Sequence, residues 1–493
     1  ALLLLAATAL PVSGIRVGRE VFVDGGNIVN DAGDQFACVT MDWWPNNKCD
    51  YGVCPWSESS ILNVDLQSRR LRNALNALGS VTLRIGGTQA DNITYALGRD
   101  KDIDCPDFTP KGINSSHFFG GCLTEDKFRE IDDFCGDGCR LVFGLNLMNG
   151  RDRKEVYYKD PCPGSWNSSN SMALLEFAAA EGISVYGVEL GNEIECLSPQ
   201  EYAADVITLR GMVDEVYADR HGDHHDHHHH HHHHDRNGRP KVIVTDQISW
   251  EQDFFNEFIP FVKNAADVIT WHNYPLGPGY GNPKLDVHIM DPRYHDHFIN
   301  TAENATKTVD KLGDGRLHVW MGETGGAYNS GHNETSNAFM YAFWYLQVLS
   351  GFAAKGHHGF CRQTLIGGNY ELIDKVTHVP NPDYYALRLF NTLMSGKILS
   401  VNVSEGIEGD VTAWAQCSKA DAYPSSVTVV LLNYGNTTQD VIIATNRPTL
   451  SRPSSSEEHW SGSLYLMTAD SLKSRVVRCN GREMRLGPND EIP

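Results

Sequence analysis

The chain has 493 residues, 41% of them hydrophobic and 21% charged, an ordinary globular composition long enough for two domains. A formal net charge of −21 argues against nucleic acid as a partner, because phosphate binding needs a basic stripe and none is visible. The same charge disfavours tight binding of strongly anionic polymers.

The first residues, Ala1-Leu2-Leu3-Leu4-Leu5-Ala6-Ala7-Thr8-Ala9-Leu10, read as the apolar core of a secretory signal, so residues 1–14 are expected to be part of a signal peptide. A buried strand or the start of a helix is the alternative. The stretch is too short to span a bilayer comfortably and no other stretch is a candidate, which leaves only peripheral membrane association. Twelve Cys, including the close pairs Cys49/Cys54 and Cys135/Cys139, suit an oxidising compartment. Buried free thiols remain the alternative for several, Cys361 and Cys196 among them. Seven sequons, at Asn92, Asn114, Asn167, Asn304, Asn333, Asn402 and Asn436, point to N-glycans on some of them. The expected location is the secretory pathway, ending outside the cell or in the wall, or in a lysosomal or vacuolar lumen.

Residues 15–34 look strand-like and are expected to join a β-domain formed by the other end of the chain. From 35 to 396, eight short apolar runs alternate with helical stretches. The runs are Phe36–Met41, Val81–Ile85, Leu141–Leu147, Ile183–Leu190, Val242–Thr245, Val268–Trp271, Leu317–Met321 and Gly359–Leu365. Helices are expected over Ile61–Leu78, Ser171–Glu181, Pro199–Asp219, Glu251–Asn264, Asn300–Leu312 and Thr335–Leu349. This is the pattern of an α/β protein, a (β/α)8 TIM barrel. An open doubly wound sheet is less suitable, since no Gly-rich dinucleotide fingerprint follows the first run. Residues 397–493 carry short strands with turn residues between them, as in a C-terminal β-sandwich. The tract His221–Asp235, with eight consecutive His, falls after the helix that follows the fourth strand and before the fifth strand. It reads as a solvated loop on the barrel face away from the catalytic one, with no part in chemistry.

Two glutamates stand where strands give way to loops: Glu193 in Gly191-Asn192-Glu193 and Glu323 in Gly322-Glu323. Glycosidic cleavage needs such a pair, an acid on the leaving oxygen and a base or nucleophile on the other face of the sugar. With period-two alternation, Glu189 lies deeper on the same face as Glu193. Arg84, in the second run, is expected inside the barrel, pairing with a strand-end carboxylate and favouring the ionised form of Glu323. Asp42, Thr88, Asp246, His272, Tyr274, Gln363 and Tyr370 fall at or beside strand ends, and Trp43, Trp44 and Trp271 are candidates for stacking on a sugar ring.

Longer motifs share these positions. They include Val39-Thr40-Met41-Asp42-Trp43-Trp44-Pro45, Leu83-Arg84-Ile85-Gly86-Gly87-Thr88, Phe143-Gly144-Leu145-Asn146 and Trp166-Asn167-Ser168-Ser169-Asn170. Further on come Glu189-Leu190-Gly191-Asn192-Glu193, Thr270-Trp271-His272, Gly322-Glu323-Thr324, Arg362-Gln363, Gly367-Gly368-Asn369-Tyr370 and Pro382-Asp383-Tyr384-Tyr385. Together they resemble glycoside hydrolase family 79, the heparanase-like proteins, and most their plant-type β-glucuronidase branch. The resemblance implies a barrel plus sandwich and a retaining mechanism, with Glu193 as acid/base and Glu323 as nucleophile. It implies that Asn192 bonds the sugar 2-hydroxyl and that Asp42, Thr88, His272, Tyr274, Gln363 and Tyr370 lie near substrate. No metal or organic cofactor is required. Where animal heparanases have Gly-Gly to meet the glucuronate carboxylate, this chain reads Ala327-Tyr328-Asn329-Ser330-Gly331, leaving Tyr328 and the amides of Asn329 and Ser330 as substitutes. The segment Trp250–Glu257 is acidic where heparan sulfate would need basic clusters. The expected activity is release of terminal β-linked glucuronic acid from a polysaccharide, a proteoglycan or a small glucuronide. A β-glucosidase, an endo-acting glycosidase and a catalytically silent sugar-binding protein are the alternatives.

Overall fold

The computed structural model describes residues 2–7, 19–57, 59–110, 118–152, 162–218, 238–404, 411–419, 426–445 and 462–493. The His-rich tract, Asn114 and the polar stretch 451–458 lie outside them. Eight parallel strands close into a barrel: β1 (Ala37–Asp42), β2 (Val81–Gly86), β3 (Cys139–Leu145), β4 (Val185–Leu190), β5 (Lys241–Gln247), β6 (Val268–His272), β7 (His318–Thr324) and β8 (Gly359–Arg362). They are adjacent in chain order, and β8 pairs with β1 through Phe360↔Ala37 and Arg362↔Val39. Strands buried on both faces read as near-continuous apolar runs, which is why all eight were visible.

One principal helix follows each of these strands: α1 (Arg69–Ala77), α2 (Glu125–Cys135), α3 (Ser169–Glu181), α4 (Pro199–Tyr217), α5 (Gln252–Val262), α6 (Pro292–Leu312), α7 (Phe339–Ala354) and α8 (Pro382–Leu393). The expected boundaries shift where polar side chains capture backbone. The first helix starts at Arg69 rather than Ile61, since Asn63 and Asp65 hold the preceding turns. The sixth starts at Pro292, capped by Asp291. Helices α2 and α8 were not anticipated, though Phe128, Ile131, Phe134 and Cys135 form a buried face on α2.

A nine-stranded sheet packs beside the barrel. Arg19–Asp31 pairs with Met394–Val403 and, in parallel, with Val441–Thr445, so both ends of the chain build it. Alternation along Val427–Asn433 sends Val430 and Leu432 into the barrel-side core and Val427, Val429 and Leu431 into a second core. Helix α7 lies between sheet and barrel and is apolar nearly all round, its Gln347 accepting from Thr412 and Trp414. Leu2–Ala7, read from sequence as signal core, is here a strand with antiparallel partners on both sides, Val427–Leu432 and Gly462–Met467. Six apolar residues fit an interior strand as well as a signal core.

Five disulfides are present: Cys38–Cys361, Cys49–Cys54, Cys105–Cys122, Cys135–Cys139 and Cys162–Cys196. Cys361 and Cys196 are thus bonded, not free thiols. Cys417 and Cys479 are free. Among the described residues no helix is long and apolar enough to cross a membrane.

Candidate active site

Arg84 organises the barrel mouth. Inward-facing on β2 and 1% exposed, it donates from Nε to Glu189 Oε2 (2.5 Å) and from Nη1 to Glu323 Oε2 (2.8 Å). Its Nη2 reaches Asn192 Oδ1 (2.8 Å) and Asp246 Oδ2 (2.5 Å). One guanidinium fork therefore orients groups from β4, β5 and β7, a task suited to Arg and beyond a lysine's single ammonium. The other oxygen of Glu323 accepts from Tyr274 Oη at 2.5 Å.

Glu193 is held from the other side. Its Oε1 lies 3.0 Å from His272 Nδ1, and His272 Nε2 lies 3.0 Å from Asp246 Oδ1. Glu193, just past β4, and Asp246, near the end of β5, have positive φ, 55° and 52°, and the Glu193 amide donates to the Asp246 carbonyl at 2.8 Å. Such backbone is costly for non-glycine residues and persists where surrounding bonds fix it. The Asn192 amide is bonded by Asp91 Oδ2 at 2.8 Å. Oxygens of Glu193 and Glu323 and a ring nitrogen of His272 lie within 4.8 Å of one another. That cluster has the atoms of a cation site, but the Arg84 guanidinium already bonded to Glu323 opposes a second cation there.

Charge and burial set the protonation states. Burial raises the Glu193 carboxyl above its ordinary value against the pull of His272, and the nearby charge of Glu323 raises it further. Burial lowers His272, but Asp246 overcomes this and lifts it to about 10. Burial alone would raise Asp246; Arg84 and His272 hold it well below the carboxylate range. Asp42 is pushed up to about 7 by burial and by Glu323.

These groups open onto a cavity of 550 Å³. Asp42, Thr88, Glu193, Tyr274 and Glu323 line it, as do Tyr328, Asn329, Ser330, Gln363 and Tyr370 from the loops after β7 and β8. Asn192 and His272 are not in this lining: Asn192 is bonded to Arg84, and His272 to Glu193, which lines the cavity. Glu189 lies deeper, its carboxyl raised by burial against the pull of Arg84. Asp42 Oδ2 accepts from Trp44 Nε1 (2.8 Å) and Gln363 Nε2 (3.0 Å). Of Trp43, Trp44 and Trp271, only Trp44 reaches the cavity; Trp43 packs edge-on to Phe143, and Trp271 stacks on Phe352.

Lys48 and Asp50 were missed. They belong to the loop after β1, which has no periodicity to mark it. Lys48 pairs with Asp50, lies 4.7 Å from the Trp44 ring centroid, and donates to Ser330 Oγ at 3.1 Å. Trp56 Nε1 also donates to Ser330 Oγ (2.9 Å), and Asn329 Nδ2 to Tyr51 Oη (3.0 Å). The disulfide-closed loop is thereby tied to the loop after β7.

The chain resembles known proteins over most of its length. Residues 18–350 match the family model "Glycosyl hydrolase family 79, N-terminal domain". Heparanase-like protein 3 of Arabidopsis thaliana is 35% identical over 86% of this chain and 76% of its own length. Baicalin-beta-D-glucuronidase of Scutellaria baicalensis is 32% identical over 95% of this chain and 86% of its own. In fold, a family 51 alpha-L-arabinofuranosidase from Bifidobacterium longum superposes with a TM-score of 0.58 at 12% identity, covering 88% of each chain. A barrel with strand-end glutamates, matched by that family model over two thirds of the sequence, places the chain in glycoside hydrolase family 79.

Proposed function

We propose that this chain is a secreted, retaining β-glucuronidase acting on terminal sugars. The carrying observation is the approach of Glu193 and Glu323 oxygens to within 4.8 Å. Retaining glycosidases hold their carboxyls about 5–5.5 Å apart, whereas inverting ones leave about 6.5–9.5 Å for a water. Glu323, fixed by Arg84 and Tyr274, attacks the anomeric carbon as Glu193 protonates the leaving oxygen. Forming the glycosyl ester removes the Glu323 charge that helps raise Glu193, so Glu193, having given its proton to the leaving oxygen, stays ionised and takes a proton from the attacking water.

The likeness to a named β-glucuronidase supports a sugar carboxylate in the pocket. Asn329, Ser330 and Gly331 have consecutive positive φ values of 53°, 67° and 68°, a turn of the kind whose amides receive an anion. Lys48 adds a cation behind Ser330. Terminal action is supported by the ties between the loop after β1 and Ser330, since Lys48, Asp50 and Ser330 stand bonded together in the cavity lining. Five disulfides and exposed sequons at Asn167, Asn304, Asn333, Asn402 and Asn436 support a secretory route. The substrates are glucuronide-bearing polysaccharides, proteoglycans or small glucuronides.

The test compares release from aryl β-glucuronide and aryl β-glucoside, with the product anomer read by NMR and Glu323→Gln as control. Faster glucuronide cleavage with retained β-anomer is expected. An α-anomer, a preference for glucoside, or full activity in the variant overturns the proposal.

A further inference from the structure

The opposite, N-terminal face of the barrel holds two adjoining cavities of 380 and 260 Å³ that share Arg140, Tyr186 and Lys241. These three are at the starts of adjacent strands β3, β4 and β5, with Gly187 in register with Val142 on one side and Lys241 on the other. The Arg140 guanidinium is 4.6 Å from the Tyr186 ring centroid and the Lys241 ammonium 5.9 Å. Strands about 4.8 Å apart put the two cations on either side of the tyrosine. Tyr186 stacks on Trp320 at 5° between planes, over an apolar floor of Val142, Ile243 and Val268. No counter-charge rises from that floor.

Among the described residues neither Arg140 nor Lys241 makes an ion pair or a side-chain hydrogen bond, although the chain carries 62 acidic residues against 41 basic. The larger cavity has one carboxylate, Asp267, which is held by Arg210 and the Val242 amide; the smaller has two, Asp31 and Asp34, which accept from the amides of Gly33 and Gly396. The larger cavity's third cation, Arg239, is paired with Asp214. Two half-buried cations that make no ion pair among the described residues, set in a concavity, attract an anion from solution. We propose that this face binds a small oxyanion, a phosphate or carboxylate group, between Arg140 and Lys241. Arg140 supplies the planar fork and Lys241 the point charge.

The test is calorimetric titration of the full chain with inorganic phosphate and, separately, free glucuronate, at ionic strength fixed with chloride. Wild type is expected to bind phosphate saturably, and Arg140→Gln and Lys241→Gln each to weaken it roughly tenfold, as loss of one charge-assisted bond implies. Glu323→Gln should bind phosphate as wild type does. Glucuronate binding that survives in Glu323→Gln and disappears in Arg140→Gln extends the site to carboxylates. Unchanged turnover in Arg140→Gln and Lys241→Gln shows them folded. Absence of saturable binding up to about 20 mM, or equal binding by the double variant, overturns the proposal.

Discussion

Arg84 on β2 and Glu323 on β7 meet inside the barrel across two intervening strands, Nη1 donating to Oε2 at 2.8 Å. The same guanidinium also bonds Glu189 and Asp246, so a single cation serves three buried carboxyl groups. Arg84→Gln strands those charges, and breaking a buried pair costs roughly 3–5 kcal/mol. The expected result is an inactive protein with a clearly lowered Tm. Arg84→Lys keeps a charge but loses the fork; its kcat/KM should fall at least about 100-fold, the scale of one misplaced catalytic donor, with a smaller loss of Tm. Near-wild-type turnover in Arg84→Lys would show that charge alone suffices.

Tyr274 gives a cleaner separation of chemistry from folding. Its Oη donates to Glu323 Oε1 at 2.5 Å, and Tyr274→Phe removes that hydroxyl and little else. A hydrogen bond to a charged group is worth about 1.5–3 kcal/mol, which sets a fall in kcat of roughly 10- to 100-fold. Thermal denaturation should be nearly unchanged. A large drop in Tm with an unaltered rate contradicts a role in holding Glu323.

What the sequence shows of this site depends on the range of each interaction. The apolar barrel strands and the glutamates ending β4 and β7 are local features, visible as short motifs. Arg84 is legible too, because a cation within an apolar strand demands an inward partner. Asp246 shows only as a strand-end acid; that it joins Arg84 to His272 depends on three strands meeting. Lys48 and Asp50 could not be found by pattern, since Ser330, which explains them, is about 280 residues away along the chain. Asp91 sits in a turn after β2, yet its two oxygens accept the amides of Asn192 and Leu147. Helix α2 was within reach, since the spacing of Phe128, Ile131, Phe134 and Cys135 marks an apolar face among its charges.

Asp42 gives the pocket a pH dependence. Burial and Glu323 lift its carboxyl to about 7, so it is neutral below that pH and charged above. Its contribution to stability is fully present below the ordinary value of 3.8 and is lost as pH rises through 7. The same ionisation adds a negative charge to a pocket proposed to take an anionic sugar. KM for an aryl β-glucuronide should therefore rise above pH 7 while KM for the uncharged glucoside does not. Asp42→Asn should flatten the glucuronide profile. Parallel profiles for the two substrates in wild type would remove Asp42 from carboxylate discrimination.

Ser330 tests the proposed restriction to terminal sugars. Its Oγ accepts from Trp56 and Lys48 and donates to Asp50, joining the loop after β1 to the loop after β7. Ser330→Ala leaves Lys48 paired with Asp50 and the Cys49–Cys54 bridge intact, so the loop keeps its shape and loses its anchor. A wall contacts the ground state and transition state alike, and losing such uniform binding raises KM while sparing kcat. With two or three hydrogen bonds removed, KM for a small glucuronide should rise roughly tenfold and kcat change less than about threefold. A loosened wall should also admit chain beyond the terminal sugar, so Ser330→Ala should gain cleavage of internal glucuronosyl linkages in an uncharged-aglycone oligosaccharide, read by product size. Unchanged KM together with strictly terminal products means that the barrier at this end of the cavity is made by other residues, with Trp44 and Tyr370 next to be replaced.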